Sequence, residues 1–140
     1  MKPYVTLITL GVDDLDRAVA FYRDGLGFPT EGVVGQELEN GAVAFFDLQP
    51  GLKLALWPRT SLAADSNVAV TAPSPSDFML AHNVGSAAEV DAVLGTAAAA
   101  GATLTKPGQA TNWGGYSGVF QDPDGHLWEV AFNPQIPGGG

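Results

Sequence analysis

Two stretches of this chain, FDLQPGLKLALWP (residues 46–58) and FQDPDGHLWEVAF (residues 120–132), superpose without a gap when Phe46 is set against Phe120 and Gly51 against Gly125. Each reads as a strand end, a turn and a second strand. The regions before them match as well, since Val12 and Val84 each close a strand and precede a helix. The late strands repeat at an offset of 74 residues and the strand–helix junctions at 72. The chain therefore reads as a duplicated unit of strand, helix and then several strands. In such a βαβββ unit the helix covers one sheet face and the other face needs a partner, which pairing two units would supply. At one place the copies are chemically unequal: Ala55 falls where the second copy has Glu129, an acid inside an otherwise apolar strand.

Local signals support this plan. Residues 4–12 (YVTLITLGV) form a strand rich in β-branched residues, with Asp13 and Asp14 as N-cap candidates. Leu15, Ala18, Val19 and Tyr22 then mark one helix face, and Gly25 and Gly27 end it. Residues 42–48 and 52–58 form a hairpin turning at Gln49-Pro50-Gly51. Residues 59–76, rich in Ala, Ser and Pro, read as a linker with a short strand at Val68–Val70. In the second copy, 78–84 is a strand and Ser86 with Glu89 is a capping box. Val90, Val93, Leu94 and Ala97 form the helix face, and Gly101 stops the helix. Strands follow at 102–105, 118–121 and 127–132. The expected organisation is one domain: module 1 over residues 1–58, the linker 59–76, module 2 over residues 77–134 and a disordered tail at 135–140.

Composition excludes several function classes. A net charge of −9 is unsuited to nucleic acid or an anionic membrane. There is no cysteine, so disulfides and thiolate metal sites are excluded. The amino terminus turns acidic too soon for a signal peptide, and no apolar run approaches the roughly 20 residues of a spanning helix. A cytoplasmic protein is expected.

The segments GVDDLDRAVAFYRDGLGF (11–28) and FQDPDGHLWEV (120–130), with the duplicated plan between them, resemble the vicinal oxygen chelate superfamily, the glyoxalase/bleomycin-resistance/extradiol-dioxygenase group. The resemblance implies an α+β fold of two βαβββ modules forming a cupped mixed β-sheet, a cavity that commonly holds a divalent metal, and assembly as a homodimer. It also places the family's metal ligands, which come from the first and last strands of each module, at Leu7, Ala55, Met79 and Glu129. Only Glu129 can bind a metal, whereas a catalytic ion takes about three protein ligands. No cofactor is expected.

Strand alternation puts Leu127, Glu129 and Ala131 on one face, which the resemblance identifies as the cavity lining. Glu129 reads as a ligand anchor or general base, or as an inherited acid hydrogen-bonded to a neighbour such as Asn83 or Tyr116. Asn83 shares parity with Met79 and should point the same way. His82 has the opposite parity and reads as a core histidine, unless a bulge flips the register. His126, in Asp122-Pro123-Asp124-Gly125-His126, belongs to a tight turn. Trp113 and Tyr116, in a glycine-rich loop, suit a pocket wall or lid, or a loop capping the core. By resemblance Trp57 lines the cavity mouth, with Phe45 or Phe46 on the neighbouring strand, and Phe46 is counted with the ligand-binding residues.

These residues lead to a metal-free protein that binds a small organic ligand, cationic or aromatic, with Glu129 as its polar anchor. The alternatives are a metal-dependent lyase, isomerase or dioxygenase of the same superfamily, a metal-free enzyme with Glu129 as general base, and a purely structural or interaction role.

Overall fold

The computed structural model describes residues 1–135, so the expected tail falls outside the described residues from position 136 onward. The chain divides into two compact units, Met1–Ala72 and Pro73–Gly140, with the boundary inside the expected linker. In the first unit the order is β1 (Leu7–Val12), α1 (Leu15–Val19), a π-helical continuation (Ala20–Gly25), β2 (Thr30–Val34), β3 (Val43–Asp47), β4 (Lys53–Pro58) and α2 (Arg59–Ser66). The second unit has a short 3₁₀ turn (Pro75–Asp77), β5 (Met79–Asn83), α3 (Ala87–Ala99), β6 (Thr103–Ala110), β7 (Tyr116–Gln121) and β8 (Leu127–Phe132). The sheets are ordered β1-β4-β3-β2 and β5-β8-β7-β6, each with one parallel pair (β1 with β4, β5 with β8) and the rest antiparallel. The α+β fold of two βαβββ units is thus present.

The duplication holds at the level of register. Thr9 pairs with Ala55 and Ala81 with Glu129; Phe45 pairs with Ala55 and Val119 with Glu129; Thr30 pairs with Phe46 and Leu104 with Phe120. Both units also carry a bulge in the strand after the first helix, between Thr30 and Val33 and between Leu104 and Lys106.

Local chemistry explains the elements. The Asp14 carboxylate accepts from the Arg17 N–H at 3.0 Å and starts α1. Ser86 Oγ accepts from the Glu89 N–H at 3.1 Å, and Glu89 Oε2 accepts in return from Gly85, one residue ahead of the expected donor. Between helix and sheet of the first unit, Tyr22 lies against Phe28 and Phe46 with ring centroids 5.8 and 6.0 Å away. In the second unit Val90, Leu94 and Ala97 are buried, and Phe120 stacks on Trp128 at 6.0 Å. Gly118 lets α3 approach: a Cβ there would come within 2.5 Å of Leu94 Cδ1 and 2.9 Å of the Lys106 carbonyl oxygen.

Several expectations are corrected. The 59–76 segment is not a plain linker, because its first eight residues form α2, which packs on β1 and β4. No strand forms at Val68–Val70, and both residues are exposed. β1 begins at Leu7, leaving Tyr4 and Val5 exposed outside it. β2 was not anticipated, and β6 runs well beyond residue 105. His82 is not a core residue. It has the predicted parity, pairing with Val130, but it is exposed on the edge strand β5, while α3 packs on the other three strands. Its counterpart Leu10 is buried.

Candidate functional site

In the second unit, Gly118, Phe120, Trp128 and Val130 occupy the sheet face against α3, so the alternate residues make up the face that α3 leaves open, on which Ser117 and Ala131 are nonetheless buried. That face has a definite grid. Lys106, Val119, Glu129 and Ala81 are register partners across β6, β7, β8 and β5. The adjacent row is Gln109, Ser117, Ala131 and Asn83.

Glu129 is half-buried between Val119 and Ala81, and its carboxylate has no hydrogen bond or ion pair among the described residues. Neither Asn83 nor Tyr116 binds it. Asn83 lies on the Glu129 face, half-buried and also without a side-chain hydrogen bond among the described residues. Flanked by a valine and an alanine, the carboxylate has no protein donor among the described residues and can meet a cation or an N–H of a ligand.

Lys106 was not anticipated. Strict alternation from Thr103 would turn its side chain toward α3. The bulge at Thr105 inserts one residue and brings Lys106 opposite Val119, on the open face. Its Nζ donates to Ser117 Oγ at 3.4 Å, and Ser117 is only 1% exposed. The readable signal was Pro107-Gly108 within an apparent strand, which marks an irregular ladder. Gly108 is wedged behind the bulge, where a Cβ would strike Asp91 Oδ1 and come within 2.9 Å of the Tyr116 hydroxyl.

The remaining expected site residues are placed as follows. Tyr116 is on the helix side, not the Glu129 face: its hydroxyl lies 2.9 and 3.1 Å from the two carboxylate oxygens of Asp91 on α3. That hydrogen bond is the main reason its phenol titrates above the ordinary value of 10.0, and desolvation and the carboxylate charge push the same way. Phe46 has 0% exposure inside the first unit's core, which removes it from the residues a ligand could touch. Trp57 shares the Ala55 face of the first sheet, and its indole N–H donates to the Asn40 carbonyl at 2.8 Å, tying β4 to the loop before β3. Trp113, in the β6–β7 turn, is 48% exposed, with its ring folded over Gly115. Asp122 organises the turn before β8: Oδ1 accepts from the Asp124 and His126 N–H groups, and Oδ2 lies 2.8 Å from His126 Nδ1. His126 is thereby held to the turn.

The donor set does not fit a divalent metal. The first unit has Leu7 and Ala55 at the positions implied by resemblance, and the second has Met79 and Glu129. No group of three or more His, Asp or Glu side chains arranged to hold an ion occurs among the described residues. No helix among them is long and apolar enough to cross a membrane.

Two βαβββ units in matching register define a duplicated α+β protein of the glyoxalase type. The model of the Glyoxalase/Bleomycin resistance protein/Dioxygenase superfamily matches residues 5–130, and the chain belongs to that superfamily. It is similar to a glyoxalase-related enzyme from Fulvimarina pelagi, with 38% identity, 96% of this chain and 91% of that chain covered, and a TM-score of 0.83. It is also similar to a glyoxalase/bleomycin resistance protein/dioxygenase from Nocardioides, with 26% identity, coverage of 100% and 89%, and a TM-score of 0.75. A lactoylglutathione lyase from Agrobacterium tumefaciens shares the fold at 24% identity, coverage of 99% and 99%, and a TM-score of 0.68. Among curated proteins none matches the chain.

Proposed function

We propose that this protein binds a small organic molecule on the open face of the second sheet, without a metal, and that Glu129 is the polar anchor. The observation that carries the reading is the half-buried Glu129 carboxylate with no partner among the described residues. An acid in that position favours a ligand with an ammonium or N–H group, and the surplus of acid over base in the whole chain favours the same sign. Asn83, two residues along β5 from the partner of Glu129, is a second group able to orient the ligand. Superfamily membership supports a small-molecule role, and the unsuitable donor set argues against a metal-centred reaction.

The test is calorimetric titration of basic aromatic compounds, starting with benzylamine, into wild type and Glu129→Gln. Removing one partner of a charge-assisted hydrogen bond should weaken binding by about tenfold or more. Unchanged affinity in the variant would overturn the anchor role. Elemental analysis of the same protein should find far less than one divalent ion per chain, and stoichiometric nickel, zinc, manganese or iron would overturn the metal-free reading.

A further inference from the structure

The second unit has a single lysine or arginine in its sequence, Lys106, against a surplus of acids. Its ammonium contacts the hydroxyl of Ser117 on the open face and forms no ion pair among the described residues. Glu129 stands in the same register row with only Val119 between them. With strands about 4.8 Å apart, the two backbones are separated by about 10 Å, and the lysine leans into the next row toward Ser117. Two opposite charges thus share one face without neutralising each other.

We propose that this face takes an amphoteric molecule, whose oxyanion rests on Lys106 Nζ, held in place by the buried Ser117 hydroxyl, while its amine meets Glu129. The inference deepens the anchor reading and rests on it. A purely cationic ligand would satisfy Glu129 and leave its own charge close to a second cation. A purely anionic one would have the reverse conflict. A ligand with both charges answers both groups, and each contact also excludes the mismatched partner. The sequence difference between the copies points the same way: Gly32, 74 residues before Lys106, and Ala55 occupy the equivalent places in the first unit, so both charged groups belong to the second copy alone.

The test uses three probes on the full chain by calorimetry: 4-(aminomethyl)benzoate, benzylamine and benzoate. The amphoteric probe should bind wild type about tenfold tighter than benzylamine, the scale of one added charge-assisted hydrogen bond. Lys106→Met should abolish that advantage and bind benzylamine at least as tightly as wild type, because the competing cation is gone, whereas Lys106→Arg should retain the advantage. Circular dichroism on both variants verifies that they fold. If the amphoteric probe binds no tighter than benzylamine, or binds Lys106→Met as well as wild type, the inference falls. The anchor reading still stands in that case, provided that benzylamine binding is lost in Glu129→Gln. If none of the three probes binds wild type, or if benzoate alone binds, the anchor reading falls and this inference with it.

Discussion

The Tyr116–Asp91 pair sits on the side of the sheet opposite Lys106 and helps to aim it. The hydroxyl and carboxylate close over Gly108, where no side chain fits, and so brace the irregular stretch that turns Lys106 to the open face. Tyr116 is therefore a positioning residue. Its phenol titrates above its ordinary value, so the folded protein keeps this proton to higher pH than the unfolded chain does. That stabilisation is fully present below the unfolded value near 10 and is lost as pH rises through the folded one. Tyr116→Phe should lower the thermal midpoint at neutral pH and make stability fall less steeply above pH 10 than in wild type. Melts recorded between neutral and strongly alkaline pH check this, and identical alkaline slopes would exclude the pair as a source of stability. At this scale Glu129 was legible in the sequence, because the repeat sets it against Ala55. Lys106 was not, because reading a strand by alternation assumes an unbroken ladder, and the residue inserted before Lys106 turns its side chain over until a second shift before Gln109 restores the phase. Tyr116 was read as part of a glycine-rich loop, whereas it opens β7, two residues before Gly118 in the set that packs toward α3.

Elements with a strong period were legible, and those without one were not. The apolar spacing of α1 and α3, the Asp14 and Ser86 caps and the two hairpins all appear as read. α2 escaped because it buries only Ser61 and Ala63, and its sequence, RTSLAADS, shows no apolar stripe. β2 escaped because Gly32 interrupts a five-residue strand. Despite its weak signature, α2 covers part of the first sheet by packing on β1 and β4. Ala63→Pro should cost about 3 kcal/mol, since proline removes a helix N–H bond and clashes with the preceding turn. Urea unfolding measures this, and a change below about 0.5 kcal/mol would mean that α2 adds little to the fold.

For the whole molecule, charge is the governing quantity. A chain with six basic residues against fifteen acids repels itself. The first unit carries an ion pair of the largely buried Arg59 with Asp13, and exposed pairs of Arg23 with Asp24 and Lys53 with Asp47. Such exposed pairs contribute little. Screening should therefore relieve more repulsion than it removes attraction, and the thermal midpoint should rise between about 20 and 200 mM sodium chloride, as the screening length shortens. Scanning calorimetry across that range gives the sign, and a falling midpoint would show that the ion pairs outweigh the acid surplus.

The division between the copies runs deeper than their side chains. Gly32 has φ +90, which a lysine adopts only under strain, whereas Lys106 is absent from the residues with positive φ. Writing the second copy's charges into the first by Gly32→Lys and Ala55→Glu would thus transplant the letters and not the geometry. The two bulges hold different backbone conformations, so the first copy cannot take up the second's lysine by point mutation without straining its chain.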